Sequence, residues 1–445
     1  MTGRLLRRKD VLSWCLYDWA NSAFVTSVIT VVLPVYFLTL LPEDGPVTLR
    51  FGRWSYATSG LALWSYLTAV YMLAAGLASP VLGAIADHTG GRKKFLAFCV
   101  FVGSVLTCGL FFATHGRYVF CGALFVGAAF LWSCGNLFYD ALLPGLARDD
   151  REMDAVSNAG YAVGYLGGGL LLAVNLAMVK RPEWFGLSDA SVATRAVFVT
   201  VGVWWALFSV PVLRYVREGG ATRDLCDPSR DRQGADNPVI EGFRRLAATL
   251  RRVRQYRQLA RLLVAFIFYN TGIGTVIVVA AAYGRDELDI PSETLIACIL
   301  MIQFVGFPAA FGFIALARWL GARGAIFVGL GVYLGVVVFA FFMKTSAEFW
   351  VLGVLVALVQ GGTQALSRSL YAGMIPAGHS AEFFGFFSIF NKVGSFSGPL
   401  CFAIVRDVTD SSRLAILFLA TFFVVGAAIL FTVNVGEGKG APKAR

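Results

Sequence analysis

Apolar blocks long enough to cross a lipid bilayer constrain this chain more than any other feature. A membrane helix needs about 20 mostly apolar residues, because each adds about 1.5 Å and the hydrocarbon core is roughly 30 Å thick. Windows of that length fall near 11–41, 61–86, 95–114, 118–141, 157–179 and 196–216. After a polar stretch they resume near 259–283, 294–317, 324–343, 349–373, 383–405 and 412–433. Composition agrees: 57% of the residues are hydrophobic and only 15% charged, where about 25% charged is usual in soluble domains. A soluble enzyme, a disordered scaffold and a disulfide-stapled secreted domain are therefore excluded. The expected fold is an all-α membrane protein of twelve transmembrane helices.

Arg4, Arg7, Arg8 and Lys9 precede the first block, as in a cleaved signal. The block is too long for a signal and carries Asp18, whereas a signal's apolar region spans about 7–15 residues. It reads as a retained first helix. Most of the 38 Lys and Arg residues fall in segments on the side of the N-terminus. By the positive-inside rule both termini are expected in the cytoplasm, and short loops suit a bacterial inner membrane. The net charge of +11 then reflects topology, and no basic soluble domain exists to bind nucleic acid. The eight cysteines lack paired spacing and His88, His115 and His379 lie near loops. Neither a metal nor a cofactor is expected.

The stretch 217–258 divides the spans six and six, giving an N-terminal half (1–216) and a C-terminal half (259–445). It opens polar and turn-rich. It then repeats Val239, Phe243, Leu246, Leu250 and Val253 against Arg244, Arg245, Arg251, Arg252 and Arg254. That pattern predicts a basic amphipathic helix on the anionic leaflet, with a partner-binding helix as the alternative. The halves also share a pattern. Tyr17-Asp18 is matched by Tyr269-Asn270, Tyr139-Asp140 before Pro144 by Tyr371-Ala372 before Pro376, and Gly164/Gly168 by Gly394/Gly398. Duplicated six-helix halves place a substrate site at the midplane between them.

Gly83 through Lys94 (GAIADHTGGRKK) lies in the short turn after the second span. It resembles the signature loop of the major facilitator superfamily. Gly83 allows close helix approach, Gly90 permits a tight turn, Asp87 is placed to pair with a helix N-terminus or a cation, and Arg92, Lys93 and Lys94 are expected at the headgroups. The second-half counterpart, Gly312 through Arg323, keeps Gly321, Arg318 and Arg323 but no acid. A closer resemblance lies in Ser13 through Phe24 (SWCLYDWANSAF), Tyr165 through Leu170, Gly361 through Leu370 and Glu382 through Phe386. These runs resemble the autophagy-related vacuolar amino-acid effluxer family, a branch of the major facilitators with bacterial members. The resemblance implies a proton-motive or passive carrier of amino acids or similar solutes, with the first, fourth, seventh and tenth helices lining its cavity.

Ionisable groups inside a span cost about 2.5–3.5 kcal/mol on insertion scales and usually serve a purpose. Lys392, about mid-depth in the eleventh span, is a candidate for a substrate carboxylate or for protonation change, with a structural tether as the plain alternative. Asp18 and Asn21 share one helical face. Asp18 is a candidate proton carrier with Tyr17 and Asn21 beside it, against simple packing near a gate. Trp132, Asn136, Tyr139 and Asp140 form a stripe on the fourth span, and Gln360, Gln364 and Arg368 one on the tenth. Asn270 stands on the seventh. Asp140 and Arg368 suit a gating ion pair as well as ligand contact, and Gln303 suits an interhelical hydrogen bond. Gly164, Gly167, Gly168 and Gly169 lie in an apolar helix with no preceding strand, so they indicate close helix packing instead of a nucleotide site.

The expected protein is a monomeric secondary transporter of amino acids or related zwitterions. It works by alternating access, with protons as the candidate coupling ion and efflux as the candidate direction. A carrier of a drug, sugar or organic anion is the rival within transport. A membrane sensor acting through the 217–258 segment is the rival outside it. No catalytic cluster supports an enzyme.

Overall fold

A computed structural model describes residues 7–42, 47–51, 54–58, 60–218, 256–375, 380–409 and 411–440. The amphipathic basic helix expected within 217–258 lies outside the described residues, apart from the segment's ends. The first span, α1 (Lys9–Thr39), is helical throughout but π-helical over Phe24–Val32. Pro34 follows that stretch and has no N–H for the carbonyl of Thr30, so the backbone loosens there. A short antiparallel hairpin, Val47–Phe51 with Trp54–Thr58, connects α1 to α2. The N-terminal half continues with α2 (Gly60–Thr89), α3 (Arg92–Gly109), α4 (Tyr118–Asp140), α5 (Asp150–Lys180) and α6 (Ala190–Tyr215).

Helix starts follow their caps. Asp149 accepts from the Glu152 amide at 2.7 Å and starts α5 two turns before its apolar run. Asp189 accepts from the Val192 amide at 2.9 Å and starts α6. That hydrogen bond, with one from the Ser188 hydroxyl, holds the Asp189 carboxyl below its ordinary range.

The C-terminal half holds α7 (Arg257–Leu288), then a 51-residue helical run, Ser292–Phe342. An unbroken helix of that length would reach about 75 Å, far beyond one bilayer crossing. Gly321, at φ 75° and ψ 160°, breaks it into α8 (292–320) and α9 (322–342). The chain crosses and returns. Glu287 at the end of α7 pairs with Arg413 at 3.1 Å, and Arg413 also donates to the Phe341 carbonyl at the far end of α9. The turn expected over 312–323 thus shrinks to Gly321, because helix continues through residue 320. Then come α10 (Ser346–Met374), α11 (Ser380–Thr409) and α12 (Ser412–Phe431). This is the twelve-helix membrane fold. Its outer face is apolar, with Leu73, Val105, Val119 and Phe431 each at least 66% exposed. No soluble protein would present such a face to water.

Packing reproduces the repeat. A side chain at Gly164 would meet the Ser22 hydroxyl and the Asp18 carbonyl of α1, and one at Gly168 would meet Ser22 again. In the other half, a side chain at Gly394 or Gly398 would strike Thr271 and Thr275 of α7. So α5 lies on α1 as α11 lies on α7, in both cases through glycines that let two backbones approach.

Candidate functional site

The hydrogen bonds that join the two halves gather toward the end of the bundle that carries the N-terminus. Arg368, near the end of α10, reaches across from the C-terminal half. Its Nη1 is 3.0 Å from Asp140 Oδ1 and its Nη2 is 3.6 Å from Asp18 Oδ2. Its Nε donates to Ser157 Oγ at 2.9 Å and Nη2 donates to the Ser157 carbonyl at 3.0 Å. Ser157 in turn donates to the Ala365 carbonyl at 2.8 Å. Around this core, Ser369 donates to Asp154 Oδ1 at 2.5 Å and Ser380 donates to the Ala141 carbonyl at 3.0 Å. Arg368 is 4% exposed and Asp18 is 8% exposed. A guanidinium is the only side chain whose rigid fork serves two carboxylates and a carbonyl at once. In this low-dielectric setting the charges attract strongly, and loss of any partner leaves a buried charge uncompensated.

The N-terminal side of this latch is built from aromatic rings. Tyr139 donates to Asp18 Oδ2 at 2.7 Å. Trp14 stacks on Tyr139 at 4.4 Å between centroids and donates its Nε1–H to the Tyr139 carbonyl. Tyr17 is fully buried between α1 and α4, its ring 4.5 Å from Tyr139. Gly160 makes room for this arrangement, because a Cβ there would collide with Asp18 Oδ2 and the Trp14 ring.

Farther from that end, amides pair in each half. Asn21 donates to Asn136 at 2.9 Å and Asn270 donates to Asn391 at 2.8 Å. Asn21 Oδ1 and Trp132 Nε1 are buried and have no hydrogen-bond partner among the described residues. Buried polar atoms without partners are rare outside functional sites. Lys392 donates to Ser388 at 2.9 Å, and Ser388 lies 3.1 Å from Ser79 on α2. The lysine stem lies against Gly76. Beyond, toward the opposite end, α1, α7, α8 and α10 enclose a cavity of about 140 Å³ between the halves. Gln303 and Gln360 line it among Val276, Ile302 and Val356. Gln364 stands one turn nearer the latch.

The expected gating loop divides. Gly83 is buried and Gly90 takes φ 62° at the turn. Arg92 does not anchor at the headgroups as expected: at the first position of α3 it turns into the bundle and is 8% exposed. Lys94 stays exposed. The Asp87 side chain lies outside the described residues. In the second half Arg323 donates to the Val433 and Phe431 carbonyls at 2.7 and 2.6 Å, closing the end of α12.

Trp14, Ser157, Gly160 and Tyr161 also build the site, although the sequence does not single them out. The spacing 157, 160, 161, 164 marks one face of α5, and Trp14 lies one turn before Asp18 on α1.

Residues 6–443 match the family described as vacuole effluxer Atg22 like. The MFS-type transporter YxiO of Bacillus subtilis (strain 168) is 34% identical, over 95% of this chain and 94% of that protein. Autophagy-related protein 22 of Eremothecium gossypii is 24% identical, over 97% of this chain and 92% of its own. Among solved structures, the Major Facilitator Superfamily transporter FucP in the outward conformation superposes with a TM-score of 0.69. It is 12% identical and covers 96% of this chain and 98% of its own. A bacterial homologue of the iron transporter ferroportin, outward-facing, gives a TM-score of 0.64 at 15% identity, over 95% of this chain and 98% of that chain.

Proposed function

This chain belongs to the Atg22-like vacuole effluxer family of major facilitator transporters, and from that premise we propose that it carries amino acids or related small zwitterions by proton-coupled alternating access, as an exporter. The observation that carries the reading is the latch: one arginine of the C-terminal half closes on two carboxylates of the N-terminal half. A contact of this kind holds one end shut and must break for that end to open. The moving bodies are residues 1–216 and 259–445, joined by the 217–258 linker.

The charges also match a zwitterion. Lys392 of the C-terminal half is placed for a carboxylate, since a charge-assisted hydrogen bond from an ammonium is among the stronger polar contacts. Asp18 and Asp140 of the N-terminal half suit an amine or a proton. A proton on Asp18 would remove half of the anionic charge facing Arg368 and loosen the latch. Asn21, Trp132, Asn136, Asn270, Gln360 and Gln364 supply neutral polar contacts along the path. The protein acts as a monomer in a bacterial inner membrane with both termini cytoplasmic, so the latch closes the cytoplasmic end.

Counterflow in proteoliposomes tests this directly. Vesicles loaded with unlabelled amino-acid pools are expected to accumulate labelled amino acids transiently and saturably, faster when a pH gradient is imposed. Absence of exchange for every amino-acid pool, with sugars or organic anions exchanging instead, would sink the substrate assignment.

A further inference from the structure

Among the described residues, the box around Arg368 is made by the other half. Its guanidinium carbon lies 4.8 Å from the centre of the Trp14 ring, 4.6 Å from that of Tyr161 and 5.7 Å from that of Tyr139. Aromatic faces at these distances attract cations through the ring quadrupole. Asp18, Asp140 and the Ser157 carbonyl complete the lining. The walls come from α1, α4 and α5. They are held to one another by the Trp14–Tyr139 stack, the Tyr139–Asp18 hydrogen bond and the close approach at Gly160. None of these ties involves the C-terminal half.

When the halves part at this end, Arg368 leaves with α10 and the box stays behind. It is then a preformed concave site with three aromatic faces and two carboxylates, and among the described residues no cation of its own half contacts it. We propose that this box is a receptor for an organic ammonium or guanidinium group, the cationic end of the transported solute, and that Arg368 fills it as an internal substitute while the latch is closed. The proposal deepens the reading above and rests on it for the identity of the solute. Its consequence is competition. Solute cation and Arg368 cannot share the box, so closure displaces the cation and a bound cation holds this end open.

The test is binding to the purified full-length chain in nanodiscs, by calorimetry, with ethylguanidinium and ethylammonium chloride against sodium chloride at equal ionic strength. Arg368→Ala and Arg368→Gln are expected to bind ethylguanidinium about tenfold or more tighter than wild type. Arg368→Lys, which keeps a cation in the box, gains nothing. Adding Trp14→Leu to Arg368→Ala removes about tenfold of the affinity gained. Folded Ala and Gln variants that show no saturable binding, or binding indifferent to Trp14→Leu, overturn the proposal. If neither variant folds, the wild type carries the test. Saturating ethylguanidinium must then open Cys15, fully buried and one residue from Trp14, to alkylation read by mass spectrometry, and unchanged protection overturns the proposal. Binding in the emptied box without amino-acid counterflow would leave the receptor standing and remove the substrate assignment. Counterflow without binding would do the reverse.

Discussion

The two halves share a scaffold and differ in charge. Pairing Tyr139 with Tyr371 on the fourth and tenth helices sets Asn136 opposite Arg368, Trp132 opposite Gln364 and Asp140 opposite Ala372. On the first and seventh, Asp18 corresponds to Asn270, and on the fifth and eleventh Tyr161 corresponds to Asn391. To the amides present in both, the N-terminal face thus adds acids and rings, and the C-terminal face adds bases. Backbone approach through glycines is retained in both halves, whereas the side chains that meet across the interface have become complementary. Complementarity of this kind gives two bodies a strong contact that depends on one geometry, which is what a gate between rocking halves requires. On the proposed reading it would also orient a zwitterion, amine toward one half and carboxylate toward the other.

The comparison breaks most severely at Arg368. Replacing it with Ala leaves Asp18 and Asp140 facing each other without a counter-charge, and removal of one partner from a buried ionic cluster costs about 3–5 kcal/mol. Counterflow is expected to fall at least about 100-fold, with the halves held apart at the N-terminal end. Arg368→Lys restores the charge but not the fork, so one carboxylate or Ser157 loses its contact. Its rate should lie between the two, roughly tenfold below wild type. Equal rates for Ala and Lys variants would show that charge does not hold the latch.

The latch was half legible in the sequence. Spacing of three and four residues placed Trp132, Asn136, Tyr139 and Asp140 on one face of α4, and Gln360, Gln364 and Arg368 on one face of α10, because helical geometry alone fixes that. Which acid meets Arg368 depends on how α4, α5 and α10 pack, and no local pattern encodes a contact between residues 18, 140 and 368. Asp149, Asp150 and Glu152 look like a loop by polarity, yet they are the cap and first turn of α5. Ser157 and Tyr161, two and three turns inside the helix, meet Arg368 only through the packing of α5 against α10, which no local pattern encodes. Arg92 departs from expectation for another reason: a run of three basic residues reads as a headgroup anchor, but the first of them is buried.

Lys392 gives a middle-sized effect and separates binding from gating within the C-terminal half. Its hydrogen bond runs to Ser388, a neutral partner on its own helix, so its loss leaves no buried counter-charge. Lys392→Gln is expected to leave the thermal midpoint close to wild type. It should raise KM for amino acids about tenfold or more, the cost of a lost hydrogen bond to a charged group at about 1.5–3 kcal/mol. A fall in kcat with unchanged KM would instead make the lysine a tether between α2 and α11.

The smallest effect comes from the feature the halves hold in common, the amide pairs Asn21–Asn136 and Asn270–Asn391. Hydrogen bonds between membrane helices are worth only about 0.6 kcal/mol on average, so double-mutant cycles to Ala should give couplings of that order for both pairs, read from unfolding. The pairs are expected to part company in transport. Among the described residues Asn21 Oδ1 is buried without a partner, as is Trp132 Nε1 on α4, and these atoms are available to a polar solute. Asn21→Ala should therefore raise KM severalfold beyond what its structural coupling predicts, and Asn270→Ala should not. If both substitutions shift KM alike, the amides serve the two halves equally, and the difference between the halves reduces to their charges alone.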